Sequence, residues 1–408
     1  MTSFIDANFP REVEFLKSLV RVPSDNPPGD CARHAEEAAK LLEALGFKVE
    51  RHKVPDEVAK QHGMVSATNL IVRETFGSGK GPVIAMNAHG DVVPPGQGWT
   101  HDPYGAEEKG GAIYGRGAAV SKSDYATYAF ALLALKNDPK GLDGTIELHL
   151  TYDEETGGFT GPEWLLQQKL TKPDIAFSAG FSYAVVTAHN GVLHLEITVR
   201  GKQAHAAMPE SGADALETAT RVLTAIYQER KRLNRIKSKS PGIGSPKITV
   251  GLISGGFATN VVPDKVVMRL DRRLIPEEKG TKVERELIAL LKRAAKGKGA
   301  QGKGIKVDCR RVIMAEPLKP RPGVKKIVEI LQRHAKRELK VAIKETGVPL
   351  YTDARHYSAA GIPTVLYGAG PRSILEANAH SANEHIKLSD LKAATKIVEA
   401  TLREMLRA

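Results

Sequence analysis

The sequence predicts a two-domain α/β protein in which one domain is interrupted by another. Three observations carry this. The 408 residues exceed what one ordinary hydrophobic core organises. Strand and helix patterns alternate as far as Gly191 and resume past Pro317, which is the signature of an α/β layer. Between them the strictly alternating segment 193–200 opens a strand, helix, strand, strand, helix, strand series, an α+β unit of its own.

Taken in order, Val13, Leu16, Leu19 and Val20 stand at helical spacing and predict a helix over 10–21. A turn-rich break, 22–30, separates it from a second helix over 31–45, whose apolar face is Ala35, Ala38, Leu41, Leu42 and Leu45 and which Gly46 stops. Strands follow over 47–51, 69–73 and 82–86, the last fully apolar. The intervening Gly77-Ser78-Gly79-Lys80-Gly81 is not a phosphate loop, because its required first glycine is Glu74 and no Ser or Thr follows Lys80. A helix over 123–136 and a strand over 144–152 come next. The inserted unit comprises the strand 193–200, a helix over 213–232, strands near 247–253 and 265–274, a helix over 282–295 and a strand over 305–312. A buried strand over 362–368 and a closing helix over 388–407 complete the chain, giving one domain over 1–191 and 315–408 and a second over 192–314.

Composition narrows the function classes. With 41% hydrophobic residues and no apolar run near the ~20 residues of a membrane span, the chain reads as a soluble globular protein with no membrane partner. Its start has no basic region followed by an apolar one, and Cys31 and Cys309 are too few for a disulfide framework, so the expected compartment is the cytoplasm. The net charge of +12 falls on ordinary helix faces and on the linker 296–304 without interleaved aromatics. That pattern suits attraction of small anionic substrates and argues against nucleic acid.

Two strand ends carry chemistry. The strand 82–86 runs into Asn87-Ala88-His89-Gly90-Asp91, and at an extended strand end residues two apart point the same way. His89 can therefore bind a metal while Asp91 fixes its ring, or the pair can be a polar turn. The strand 144–152 delivers Asp153-Glu154-Glu155 at its carboxyl end, where α/β sheets place their sites. Three consecutive acids need solvent or a cation between them. His101, His149, His189, His194, His334 and His385 have no supporting cluster and read as structural or exposed. Ser121 has no Gly-x-Ser-x-Gly elbow around it, which argues against serine hydrolysis.

Eight markers in order then resemble the M20 metallopeptidase and deacylase family over nearly the whole chain. They are Val22-Pro23-Ser24, His89-Gly90-Asp91-Val92-Val93-Pro94, Gly115-Arg116-Gly117, Asp153-Glu154-Glu155, Gly201-Lys202-Gln203-Ala204-His205, Asn260-Val261-Val262-Pro263-Asp264, Thr352-Asp353-Ala354-Arg355, and His380 before Asn383-Glu384. The resemblance implies a zinc-exopeptidase-like catalytic domain, a mixed sheet flanked by helices, with an inserted α+β lid that forms a homodimer. It implies that His89, Glu155 and His380 are metal ligands, Asp91 the orienting partner of His89, and Glu154 the general base. It further implies that His205 stabilises an oxyanion at a partner subunit's site, and that Asn260 and Arg355 hold a substrate carboxylate.

Two positions depart from the family. Where a metal-bridging aspartate follows Gly-Arg-Gly, this chain has Val120, and where a further carboxylate ligand follows the Pro-Asp strand it has Gly180. Asp124, four residues beyond Val120, can replace the bridge if both lie on one helix face, or it can be a first-turn acid at a helix N-terminus. One or two divalent ions (Zn, Mn or Co) are therefore expected, with one favoured. The implied function is metal-dependent hydrolysis of the amide bond of an N-acyl amino acid or dipeptide-like carboxylate. The alternatives are a mononuclear aminohydrolase acting on a non-peptide C–N bond of a small, including aromatic, carboxylate, and a non-catalytic carboxylate-binding protein.

Overall fold

The computed structural model describes residues 3–296 and 304–407, so residues 297–303 of the basic linker lie outside the described residues. The chain divides into two compact units. One comprises Met1–Thr187, Pro320–Thr346 and Thr352–Ala408, the other Ala188–Lys319 and Gly347–Tyr351.

The elements as far as the end of the first long segment are α1 (Phe4–Val20), α2 (Ala32–Ala44), β1 (Val49–Lys53), α3 (Asp56–Gln61), β2 (Thr68–Phe76), β3 (Val83–His89), β4 (Glu107–Lys109), β5 (Ala112–Tyr114), α4 (Lys122–Asn137), β6 (Gly144–Thr151), α5 (Pro162–Gln167), β7 (Ile175–Ser178) and β8 (Ala184–His189). The first helix begins six residues before the expected one. The Ser3 side chain accepts from the Asp6 amide and caps it, and Pro10 is tolerated inside because Ile5, Val13, Phe15, Leu16, Leu19 and Val20 are all buried along the helix.

The second unit follows with β9 (Gly191–Arg200), α6 (Ala215–Leu233), β10 (Lys247–Gly255), β11 (Lys265–Leu274), α7 (Gly280–Ala295) and β12 (Lys306–Ala315). Its four strands form an antiparallel sheet in the order β10-β11-β9-β12. Leu193, Leu195, Ile197 and Val199 alternate into a core shared with Ala215, Ala219, Val222 and Ile226 of α6 and Leu287 and Leu291 of α7. The period-2 pattern read from 193–200 therefore has a direct cause: helices cover one face of the sheet.

The chain then adds α8 (Val324–Leu339), β13 (Lys344–Val348), α9 (Ala354–Ala359), β14 (Thr364–Leu366), β15 (His385–Lys387) and α10 (Leu388–Met405). The sequence reading assigned no element to α8, although Val324, Ile327, Val328, Leu331 and Ala335 are buried along it. The eight-stranded sheet runs β1-β2-β6-β3-β7-β14-β8-β13 and is mixed. β3 lies parallel to both β6 and β7, with His89 in register with Thr151 and Asn87 with Ser178. Three carboxyl-terminal strand ends thus converge at the centre of the sheet, the position where open α/β sheets carry their sites. Among the described residues no helix is long and apolar enough to cross a membrane.

Candidate metal centre

His89 is the last residue of β3 and is held twice. Its backbone amide donates to the Ser121 hydroxyl at 2.9 Å, and that hydroxyl donates back to the His89 carbonyl at 3.2 Å. The ring Nδ1 lies 2.9 Å from the Asp91 carbonyl oxygen and 3.5 Å from its carboxylate. With Nδ1 engaged there as donor, the Nε2 lone pair is left for a ligand. Asp91 is fully buried and does more than orient the ring. Its carboxylate accepts from Asn26 Nδ2 at 2.9 Å and from the backbone amides of Glu154 and Glu155 at 3.3 and 3.2 Å.

The acid loop that follows β6 is shaped by Asp153, not offered by it. Asp153 adopts a left-handed φ of 106°, and its buried carboxylate accepts from the Thr160 and Gly161 amides at 2.5 and 3.0 Å. That turn sends Glu154 and Glu155 towards His89. The three residues offer ligand atoms that all lie within 4.8 Å of one another, the one such group found among the described residues. Glu154 Oε2 is 3.9 Å from His89 Nε2, and His380 Nε2 is 3.3 Å from Glu155 Oε1. His380 is half-exposed, with a left-handed φ of 61°.

The electrostatics of the cluster are dominated by its buried acids. Burial pushes the Glu154 carboxyl well above its ordinary value, Glu155, Asp353 and Asp91 add to the shift, and His89 opposes it. Burial disfavours charge on His89, but Glu154, Asp91 and Glu155 outweigh it and raise that pKa well above the usual range. The hydrogen bond with Glu155 raises the His380 pKa. Imidazole nitrogen and carboxylate oxygen within this spacing are the donors that zinc or manganese takes. The residues present therefore fit a divalent ion: His89, Glu154 and Glu155 converge on one point, and His380 lies beside Glu155.

Asp124 stands apart from that group. The helix α4 starts at Lys122, so Val120 precedes it and the two residues do not share a helix face. The Asp124 carboxylate is buried and accepts from the Gly180 and Ala369 amides at 3.3 and 3.0 Å; burial pushes its pKa up to about 7. Gly368 lies so close that a Cβ there would sit 1.8 Å from Asp124 Oδ1. At Gly180 a Cβ would fall 2.7 Å from both the Leu366 carbonyl carbon and the Tyr367 nitrogen, so the backbone there leaves no room for a side chain. Val120 offers no donor atom beyond its backbone; its amide donates to Glu384 Oε1 at 3.2 Å.

Arg355 occupies the first turn of α9, mostly buried, where it donates to the Gly157 carbonyl and lies 5.2 Å over the Phe159 ring. His205 and Asn260 belong to the second unit and are neighbours there. The Ala206 amide donates to the Asn260 carbonyl at 3.0 Å, and Nδ1 of the exposed His205 accepts from the Ala207 amide at 3.1 Å. The sequence reading missed Asn26, which lies in a turn with no motif of its own, and gave Asp353 and Glu384 no role although both sit inside quoted markers.

Residues 85–404 match peptidase family M20/M25/M40. An acetylornithine deacetylase of Proteus mirabilis is 30% identical over 281 residues, 67% of this chain and 69% of that protein. A succinyl-diaminopimelate desuccinylase of Wolinella succinogenes is 27% identical over 405 residues, 95% of this chain and 98% of that one. Among solved structures, an aminopeptidase from Bacillus cereus superposes with a TM-score of 0.74 at 24% identity, covering 98% of this chain and 99% of that chain. An M20 family metallo-carboxypeptidase from Sulfolobus solfataricus gives 0.75 at 19% identity over 98% and 99%. These two are likenesses of fold.

Proposed function

This chain belongs to peptidase family M20/M25/M40 and is a hydrolase of that family, and we propose that it cleaves the amide bond of an N-acyl amino acid or dipeptide-like carboxylate with one divalent ion per chain. The observation that carries this reading is the convergence of His89, Glu154 and Glu155 within 4.8 Å, with His380 3.3 Å from Glu155. The single ion is supported by Val120 and Gly180, which supply no side-chain donor.

A bound divalent ion would polarise the amide carbonyl and ease deprotonation of water. Glu154 takes the proton of the attacking water and passes it to the leaving nitrogen, a role suited to a carboxyl whose proton affinity is raised by burial. Asp91 keeps His89 and the backbone amides of Glu154 and Glu155 in place while this happens. Arg355 and Asn260 are the residues for a substrate carboxylate, and His205 balances negative charge on the carbonyl oxygen at a partner subunit's site. The second unit mediates a homodimer, as lid units of this family often do. Cys31 and Cys309 are free thiols, consistent with a cytoplasmic setting.

The test combines elemental mass spectrometry after loading with zinc or manganese and a panel of N-acyl amino acids and dipeptides. One ion per chain and hydrolysis within the panel are expected, and Glu154→Gln should keep the ion while cutting turnover by about 10²–10⁴-fold. A fully loaded protein that hydrolyses nothing in the panel would sink the amide reading. The donor-poor positions Val120 and Gly180 also favour a second reading, a mononuclear aminohydrolase acting on a non-peptide C–N bond of a small carboxylate, aromatic acids included. Release of ammonia from an amino-substituted aromatic acid, without amide cleavage, would select it.

A further inference from the structure

A chain of side-chain hydrogen bonds crosses the three strand ends beneath the metal centre. The Ser178 hydroxyl donates to Asn87 Oδ1 at 3.4 Å, Asn87 Nδ2 donates to the Thr151 hydroxyl at 2.9 Å, and Thr151 donates to Asp353 Oδ2 at 3.2 Å. Each donor spends its proton in one direction, so the chain is polarised and ends on the Asp353 carboxylate. Asp353 is 3% exposed, and its second oxygen, Oδ1, accepts no hydrogen bond from the described residues. That oxygen instead abuts Gly158, where a Cβ would fall 2.2 Å away.

Thr151 and Gly158 bracket the acid loop. Between them, Gly157 is fixed from the same side: its carbonyl accepts from Arg355 and lies 2.9 Å from His356 Nε2. The residues immediately before and within the first turn of α9 therefore grip the loop at its start, at Gly157 and at Gly158. Among the described residues the Glu154 side chain has one ion-pair contact, His89 Nε2 at 3.9 Å.

We propose that Asp353 is a positioning residue for the general base. By receiving Thr151 and abutting Gly158 it clamps the loop 153–158, so that Glu154 keeps its place beside His89 and moves as one body with the helix that bears Arg355. This rests on the reading of Glu154 as the base. A carboxylate here serves where an amide does not, because an asparagine would turn a donor towards Thr151 or towards the backbone of Gly158.

The metal-loaded full chain is compared as parent, Asp353→Asn, Thr151→Val and the double variant, by hydrogen exchange and by turnover of the best panel substrate. Asp353→Asn and Thr151→Val are each expected to speed exchange of the 153–158 amides about tenfold, with the second unit unchanged. They should cut kcat about tenfold or more while KM and metal content hold. The double variant should be no worse than the worse single one. Unchanged exchange at 153–158, exchange rising equally throughout the chain, loss of metal, or losses that multiply in the double variant would each overturn the proposal. If the parent hydrolyses no panel member, the proposed function fails, and the exchange measurements still decide the clamp.

Discussion

Arg116 and Glu384, separated by 268 residues of sequence, meet in a buried ion pair with Nη1 2.5 Å from Oε2. The other Glu384 oxygen accepts from the Ala119 and Val120 amides at 3.1 and 3.2 Å, and Arg116 also donates to the Pro95 carbonyl at 3.0 Å. The pair thereby fastens the loop after β5 to the segment that carries His380. Glu384→Gln leaves a buried guanidinium without its countercharge and is expected to lower the unfolding free energy by about 3 kcal/mol. Urea unfolding checks this, and a loss below about 1 kcal/mol would show that the pair contributes little beyond its neighbours.

Removing the ion should cost stability as well as activity. Repulsion among Glu154, Glu155, Asp91 and Asp353 is offset by His89, by His380 beside Glu155 and by Arg355 near Asp353, and a divalent ion would offset it further. An ion at about a hundredfold over its Kd adds about 2.7 kcal/mol. A chelator is therefore expected to lower Tm and zinc or manganese to restore it, with restoration lost in Glu155→Gln. A parent protein whose Tm ignores both treatments would contradict ligation at this cluster.

Arg355→Ala is expected to act twice. Loss of its bond to Gly157 and of its contact with Phe159 should cost about 2 kcal/mol of stability, since a buried hydrogen bond to a charged donor is involved. If the same side chain holds the substrate carboxylate, KM rises by about tenfold or more, as the loss of one charged contact implies. Steady-state kinetics on the folded fraction separates the two, and an unchanged KM would leave Arg355 a purely structural residue.

Away from the metal centre, Glu12 makes stability pH-dependent. It is fully buried on α1, with the Thr395 hydroxyl donating to it, and burial pushes its pKa from 4.5 up to about 8. The native chain therefore binds a proton that the unfolded chain releases between these values. The stabilisation is fully present below about pH 4.5 and is lost as pH rises through about 8. Glu12→Gln removes that loss and should be more stable than the parent by about 3 kcal/mol at pH 7, the gap closing towards pH 5. Paired denaturation curves across pH 5 to 8 test it; a constant gap would mean that Glu12 is ionised in the fold.

Legibility followed distance along the chain. His89 and Asp91 were readable because a strand end aims residues two apart the same way, and Glu154 and Glu155 because an apolar strand runs straight into them. The alternation at 193–200 announced a sheet with one covered face before any partner strand was known. Asn26 was not readable: it reaches Asp91 across 65 residues from within a turn whose composition says only that it bends. Asp124 was ambiguous in principle, since a ligand role and a first-turn role use the same residue at the same place. In the fold its Oδ1 accepts from the Gly180 and Ala369 amides, which arrive from other strand ends and which no local pattern announces. The start of α1 was misplaced because Pro10 looked like a beginning, whereas the Ser3 cap supplies one earlier.

By itself the sequence determined the α/β character of the chain, the inserted α+β unit and the inventory of imidazoles and carboxylates delivered at strand ends. These follow from side-chain periodicity and from local turn chemistry, which act over a few residues. Only the tertiary structure decided which of those groups meet. It brought Glu155 to His380, Arg116 to Glu384 and Thr151 to Asp353, and it closed the backbone around Gly180 so that no side chain fits there. Such pairings are set by strand order and by the packing of buried groups that must find partners, and no local pattern encodes them.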